Sequence, residues 1–416
     1  MKPTLPSTTP LQRIPMSRRR DFAAVTLAAV AVTIAACSGN GTVASSNQLI
    51  PATVRNLHSP TPPPFTFTFQ PVDHSLGSGN DARVTGINEK ASTVVGLNGT
   101  TPSTYSSWTA HTPFPHSTGF REFRSKDYPG AAGTYMSGLR NDFYQAGTVF
   151  SPPASAGLAC TTCGIVFYSK GSGVNYGSGC AKSACMWTFM ENPSEGTGNC
   201  ATTEVLGLAG SNVVVGYYQQ GTSSCGTQAF EGYYTSDAEY FADFDVPGAD
   251  PNTTQATGVN EEGAAVGTAE FNGRPEGWFY VDASYCTKIS APNSTATYPL
   301  SINWENNVVG YYTDSQQHSH GFLLINPGAS PSKQTWETVD DPLAEGTTVV
   351  SDINTHHYIT GWYEDEHNTI HGFVGTCTSQ NCTTDGSHAR KRNSVVQSAG
   401  GSSNCTSGSS LKWRRR

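Results

Sequence analysis

The sequence predicts an all-β fold: a six-bladed β-propeller of four-stranded blades whose last blade is closed by an N-terminal strand. Three observations point there. Residues 302–322, INWENNVVGYYTDSQQHSHGF, are answered 51 residues later by INTHHYITGWYEDEHNTIHGF at residues 353–373. The repeat has no 3.6-residue apolar rhythm, whereas short β-branched and aromatic runs broken by turn residues recur throughout. Charged residues make up only 13% of the chain, and its 43 glycines suit many short strands joined by many turns.

In chain order, the first element is an export address. SRRRDF at residues 17–22 precedes the uncharged run AAVTLAAVAVTIAAC, which is too short for a bilayer-spanning helix of about 20 residues. Residues 1–37 therefore read as a signal peptide. Its arginine pair resembles a twin-arginine signal, and Ile34-Ala35-Ala36-Cys37 resembles a bacterial lipobox, which implies lipidation of Cys37. Ordinary cleavage leaving a free Cys37, or retention as a membrane helix, are the alternatives. The polar stretch that follows makes residues 38–64 a flexible tether.

FTFTFQPVDH at residues 65–74 alternates Phe and Thr as a half-buried strand should. It is expected to pair with the segment around Phe373, because the last repeat unit lacks a fourth strand. Between them lies the propeller, residues 65–376. A glycine closing a β-branched run marks each unit, at Gly96, Gly147, Gly216, Gly267, Gly310 and Gly361, with spacings of 51, 69, 51, 43 and 51 residues. A second glycine follows in each unit, most regularly as His-Gly-Phe at Gly321 and Gly372, and an Asn precedes the run at Asn88, Asn260, Asn303 and Asn354. These are expected to be structural positions. Units are separated by an acid or Ser followed two residues later by Pro, as at Asp127 with Pro129 and Asp340 with Pro342, a turn signal. In the fifth unit the strands fall at residues 297–303, 307–314, 320–326 and 334–342. The second unit is long because of a Cys-rich insertion between Ala159 and Cys185. Residues 377–416 form a basic tail with too few apolar residues to order.

The cycle FDVPGADPNTTQATGVNEEGAAVG at residues 244–267, with VVGYYTD and HGF elsewhere, resembles the bacterial HAF-type extracellular repeat proteins. The resemblance covers residues 73–373. It implies export and a repeated β architecture and brings no catalytic residue. The pattern departs from the family where the middle Ala of His-Ala-Phe is Gly, and where Thr118, Cys163, Glu231 and Glu276 replace the His.

Charge and cysteine usage bound the function. Setting aside five basic residues at the N-terminus and seven in the tail leaves 12 Lys and Arg in the body against 31 acids, so nucleic-acid binding by the folded part is not expected. Ten cysteines besides Cys37 in an exported chain favour disulfides, with Cys160, Cys163, Cys180, Cys185, Cys200, Cys225, Cys377 and Cys382 as candidates and Cys377–Cys382 as the leading local bridge. A four-thiolate zinc site from Cys160, Cys163, Cys180 and Cys185 is the alternative, but its second pair is too widely spaced for the usual ribbon.

Six of the eleven His fall late in the chain, at His318, His320, His356, His357, His367 and His371. On an extended strand, His367 and His371 would stand about 13 Å apart, too far for one metal unless a turn closes the gap. His320 and His371 hold equivalent repeat positions, so hydrogen bonding and packing are expected of these two, and no metal or cofactor. Asp245, Asp340, Asp341, Glu231 and Glu276 invite a catalytic reading, but they sit at repeated or inter-unit turn positions, where caps explain them. The aromatic pairs Tyr217-Tyr218, Tyr311-Tyr312 and Trp362-Tyr363 could stack on sugars, yet alternation along a strand should bury one of each pair. The expectation is a monomeric, non-enzymatic binding or scaffold module. It would sit on the periplasmic or outer cell surface through its lipid anchor, or be secreted, and take an unknown protein or glycan partner. An extracytoplasmic glycan hydrolase or lyase using channel carboxylates is the alternative.

Overall fold

Runs of Val, Ile, Tyr, Phe and Thr broken by Asn and Gly become strands wherever the backbone is described. The computed structural model describes residues 65–72, 81–111, 120–140, 144–169, 185–210, 212–234, 239–282, 285–379, 382 and 414–415. All lie in the unit Ser38–Arg416, the chain dividing there from Met1–Cys37. The expectations for the signal peptide, Cys37, the tether, Asp73, Cys180 and most of the tail fall outside the described residues, as does the side chain of Cys185.

Strand β1 (Phe67–Val72) comes first, followed by five antiparallel groups of four. These are β2 (Arg83–Ile87), β3 (Thr93–Asn98), β4 (Ser106–His111) and β5 (Arg121–Ser125); then β6 (Gly133–Leu139), β7 (Tyr144–Phe150), β8 (Thr162–Ser169) and β9 (Cys185–Met190). The third group is β10 (Thr203–Ala209), β11 (Val213–Gln220), β12 (Gly226–Tyr234) and β13 (Glu239–Phe244), and the fourth is β14 (Gln255–Val259), β15 (Ala265–Phe271), β16 (Arg274–Asp282) and β17 (Tyr285–Ile289). The fifth is β18 (Ala296–Ile302), β19 (Val308–Thr313), β20 (Ser319–Ile325) and β21 (Thr335–Thr338), within a residue or two of the sequence reading at most ends. Strands β22 (Thr347–Ile353), β23 (Ile359–Glu364) and β24 (Ile370–Cys377) make the sixth group, and β1 completes it. β1 runs antiparallel to β24 from Phe67 opposite Cys377 to Val72 opposite Gly372. The expected partner for residues 65–74 is thus the one found. A single parallel bridge, Ser319 to Thr347, joins the fifth and sixth groups into one eight-stranded sheet. In the tail expected to be disordered, β25 (Arg414–Arg415) pairs with β13 through Tyr240 and Phe241.

Packing runs between groups. Of six buried apolar clusters, one sits between each successive pair, from Val95 with Met136 and Ile165, through Val205 with Met190 and Phe244 with Trp278, to Ile302 with Phe279 and Val350 with Leu323. The remaining cluster joins the last group to the first, with Val72 and Val374 against Val84, Val94 and Trp108. Large side chains buried this fully contribute about 1.5–3 kcal/mol each, so these interfaces dominate the stability of the β groups.

The unit-marking glycines are explained by what stands over them. A Cβ on Gly310 would lie 2.0 Å from the Tyr298 carbonyl and 3.0 Å from the Phe322 ring, and one on Gly361 would lie 2.0 Å from the Val349 carbonyl and 2.7 Å from Phe373. The same approach recurs at Gly96 beneath Trp108, Gly216 beneath Phe230 and Gly267 beneath Trp278. Two of the second glycines also meet the next group: Gly321 faces Val350, and Gly372 faces Val84. The sheets are therefore covered on both faces. That corrects the expectation of one buried aromatic per pair for two of the three pairs, since Tyr217 and Tyr218 are both buried, as are Trp362 and Tyr363, whereas of Tyr311 and Tyr312 only Tyr312 is buried.

Three disulfides are present among the described residues: Cys160–Cys163, Cys200–Cys225 and Cys377–Cys382. They belong to an oxidising, exported setting, and the first removes Cys160 and Cys163 from any thiolate zinc site. Cys286 is a buried free thiol that burial pushes up to about 12. No helix among the described residues is long and apolar enough to cross a membrane.

Candidate functional site

The first strand of every group carries a β-bulge at one position. Pairing skips a residue between Val84 and Gly86, Met136 and Gly138, Val205 and Gly207, Ala256 and Gly258, Pro299 and Ser301, and Val350 and Asp352. The skipped residue turns toward the next group. Thr85 Oγ1 donates to the Met136 carbonyl at 2.6 Å, Ser137 Oγ to Val205 at 3.0 Å, and Thr257 Oγ1 to Pro299 at 2.7 Å. The residue after the bulge is Gly in four groups because the strands come so close. A Cβ on Gly207 would lie 3.0 Å from Gly258 Cα, and one on Gly258 would lie 2.9 Å from Ser301 Cα.

These strands converge on one cavity of about 620 Å³, counting its solvent-open part, lined by the bulge regions of all six groups. Four turns at its rim are built alike. Each begins at a repeated Asn, and the backbone N–H three residues on returns to the Asn carbonyl. That third residue has positive φ, at Ala91, Gly263, Asn306 and His357, a conformation that only Gly adopts without cost. The Asn side chain offsets the strain. Asn303 Oδ1 accepts from the N–H groups of Glu305 and Asn307 at 3.0 and 2.9 Å, while Asn354 Oδ1 accepts from His356 and Tyr358 at 3.0 Å each.

Its amide then reaches the neighbouring turn. Asn260 Nδ2 donates to the Asn303 carbonyl at 3.0 Å, Asn303 to Asn354 at 3.3 Å, and Asn354 to Asn88 at 3.0 Å. One residue type is needed that both accepts and donates, and Asp could do only half of this.

The chemistry of the rim lies in the residues that differ between units. After the repeated Asn come Glu89, Glu261, Trp304 and Thr355. Trp304 is 42% exposed, an unusual state for so large an apolar surface. Arg140 pairs with Glu261, and Glu89 Oε2 accepts from the Thr355 N–H at 3.0 Å. Deeper in, Asp352 occupies the post-bulge position that is Gly in four other groups. Its oxygens accept from Ile87 N–H at 2.9 Å, Ser301 Oγ at 2.5 Å and Ile353 N–H at 2.9 Å, so one carboxyl bridges the fifth, sixth and first groups. Burial pushes it up to about 7 against those three donors. The arrangement offers a flat aromatic surface, a cation and several carboxylate and amide groups at one rim, which suits a polar ligand with an apolar face.

The candidate catalytic acids singled out from sequence lie elsewhere. Asp341 Oδ1 accepts from the Leu343 N–H at 2.9 Å, a turn cap as expected. Glu276 is buried between Arg274 and Lys288, 3.4 Å from each, and Asp245 takes a hydrogen bond from Gln228 at 3.1 Å. The hydrogen-bonding and packing role expected of His320 and His371 is visible: each stacks on a Tyr and contacts an Asp. Sequence reasoning did not single out Glu89, Arg140, Glu261, Trp304 or Asp352. The signal was the variable residue after each invariant Asn, and the one carboxylate among post-bulge glycines.

No protein-family model matches the chain, and no curated protein is similar enough to be matched.

Proposed function

We propose that the chain is an exported, lipid-anchored six-bladed β-propeller of the HAF-repeat type. In this reading it acts as a non-enzymatic binding module at the cell envelope and takes a glycan at the rim of its central cavity. The observation that carries the function is the exposed Trp304 among Arg140, Glu261 and Glu89, where six first strands converge. Sugars stack an apolar face on an indole while their hydroxyls bond carboxylates, guanidinium and amides. Closure into a ring is supported by the cluster between the last and first groups and by the Asn chain that runs from Asn260 to Asn88. Four β-strands per unit match a propeller blade.

A hydrolase would need two carboxyls free to act as acid and as base or nucleophile. Those at the cavity are engaged: Asp352 by three donors, Glu261 by Arg140, and Glu89 by the Thr355 backbone. A glycan array probed with the chain lacking residues 1–37 tests the proposal. Binding that falls at least tenfold in Trp304→Ala, with no release of reducing ends, is the expected result. Glycan binding unchanged in Trp304→Ala, or turnover abolished by Glu89→Gln or Asp352→Asn, would overturn it.

A further inference from the structure

At the end of β19 away from Trp304, the turn into β20 gathers a carboxylate and two imidazoles. Asp314 Oδ1 accepts from the N–H groups of Gln316 and His318 at 2.7 and 2.9 Å. This fixes the carboxylate and turns Oδ2 toward His320 Nε2 at 3.5 Å and His318 Nδ1 at 3.7 Å. One ligand atom from each of the three residues lies within 4.8 Å of those of the other two. We propose that Asp314, His318 and His320 bind a zinc ion, with Asp340 orienting His320 and the fourth position left open.

The spacing fits the ion. Ligand atoms about 2.0–2.2 Å from a tetrahedral zinc stand roughly 3.4 Å apart, so two of the three edges are nearly formed. The third closes by rotation of His318, whose side chain is half exposed. His320 is prepared more thoroughly. Its Nδ1 is 2.8 Å from Asp340 Oδ2, so the proton belongs there and the Nε2 lone pair faces Asp314. Ligating histidines are held by an outer carboxylate in this way. The ring also lies on Tyr312, centroids 5.2 Å apart and planes within 28°, and the Tyr312 hydroxyl is 3.1 Å from Thr338 Oγ1. Two imidazoles with one carboxylate favour zinc, copper or nickel over calcium or magnesium.

The matching turn of the sixth group is a built-in comparison. Asp365 faces His371 Nε2 at 3.2 Å, but Thr369 stands where His318 does, and the second imidazole, His367 at 3.8 Å, is 75% exposed.

The test is a zinc titration of the full chain against a chromophoric chelator at neutral pH, with cobalt substitution as a spectroscopic readout. One equivalent should bind, giving tetrahedral-type cobalt absorption. His318→Ala and His320→Ala should each weaken binding more than tenfold, Asp340→Asn by about tenfold with all ligands intact, and His367→Ala not at all. Each variant should keep a single cooperative melting transition in excess chelator, which separates loss of a ligand from loss of fold. No bound equivalent, or wild-type affinity in His320→Ala, would overturn the proposal.

Discussion

Asn354 shows how much a single side chain does in this chain, since its oxygen caps its own turn while its amide holds the carbonyl of Asn88, 266 residues away. Asn354→Asp keeps the acceptor and loses the donor, so it should destabilise by about 1–3 kcal/mol, the cost of an unmade buried hydrogen bond. Asn354→Ala loses both and should cost more; equal denaturant midpoints for the two variants would remove the inter-unit role of the amide. Asp352 makes a prediction in pH. Burial raises its folded-state value from 3.8 to about 7, so folding favours the protonated form. The stability it contributes is fully present below about 4 and is lost as pH rises through about 7, up to about 4 kcal/mol in all. Asp352→Asn does not titrate, so its stability relative to the wild type should rise between pH 4 and pH 8. A difference independent of pH, measured by urea unfolding, would contradict this. The four Asn were legible because they recur, but Asp352 was not: a carboxylate replacing a glycine has no periodicity and gains meaning only where three groups meet.

Strands were the most legible elements. β18 to β21 fall almost where turn residues and alternation place them, and β1 was readable because Phe65, Phe67 and Phe69 alternate with Thr. What alternation could not convey was burial, because a sheet covered on both faces hides Tyr217 as well as Tyr218. Phe69 packs edge-on against Phe373 with centroids 5.1 Å apart, and Phe65 lies 5.0 Å from His357. Deleting residues 65–70 therefore removes several ladder hydrogen bonds at about 1 kcal/mol each together with these contacts, and exposes β24 as an unpaired edge. The unfolding midpoint should fall and self-association should appear by light scattering, whereas deletion of residues 42–52 should change neither. Within the groups, Gly361→Ala would drive a methyl into the Val349 carbonyl and the Phe373 ring. It should cost several kcal/mol, beyond the ~1–3 kcal/mol of ordinary overpacking, as read by thermal denaturation.

For the whole molecule, the repeat period and the missing last strand foretold six groups of four strands. The rim residues stayed hidden because they occupy positions that vary among units. The proposed lipid anchor predicts a further outcome: Cys37→Ser should release the protein from the membrane fraction, since stable attachment needs more than one acyl chain, and sedimentation of the variant with membranes after a high-salt wash would count against the lipobox. Everything about the rim depends on the six groups closing on themselves through β1. Hydrogen exchange on the unmodified chain measures that closure directly. Amides of Phe67 to Val72 that pair with β24 should be protected to the level of β22 and β23 and should open only with the global unfolding of the sixth group. Exchange of β1 within seconds, while β23 stays protected, would contradict the proposed ring closure and the rim built upon it.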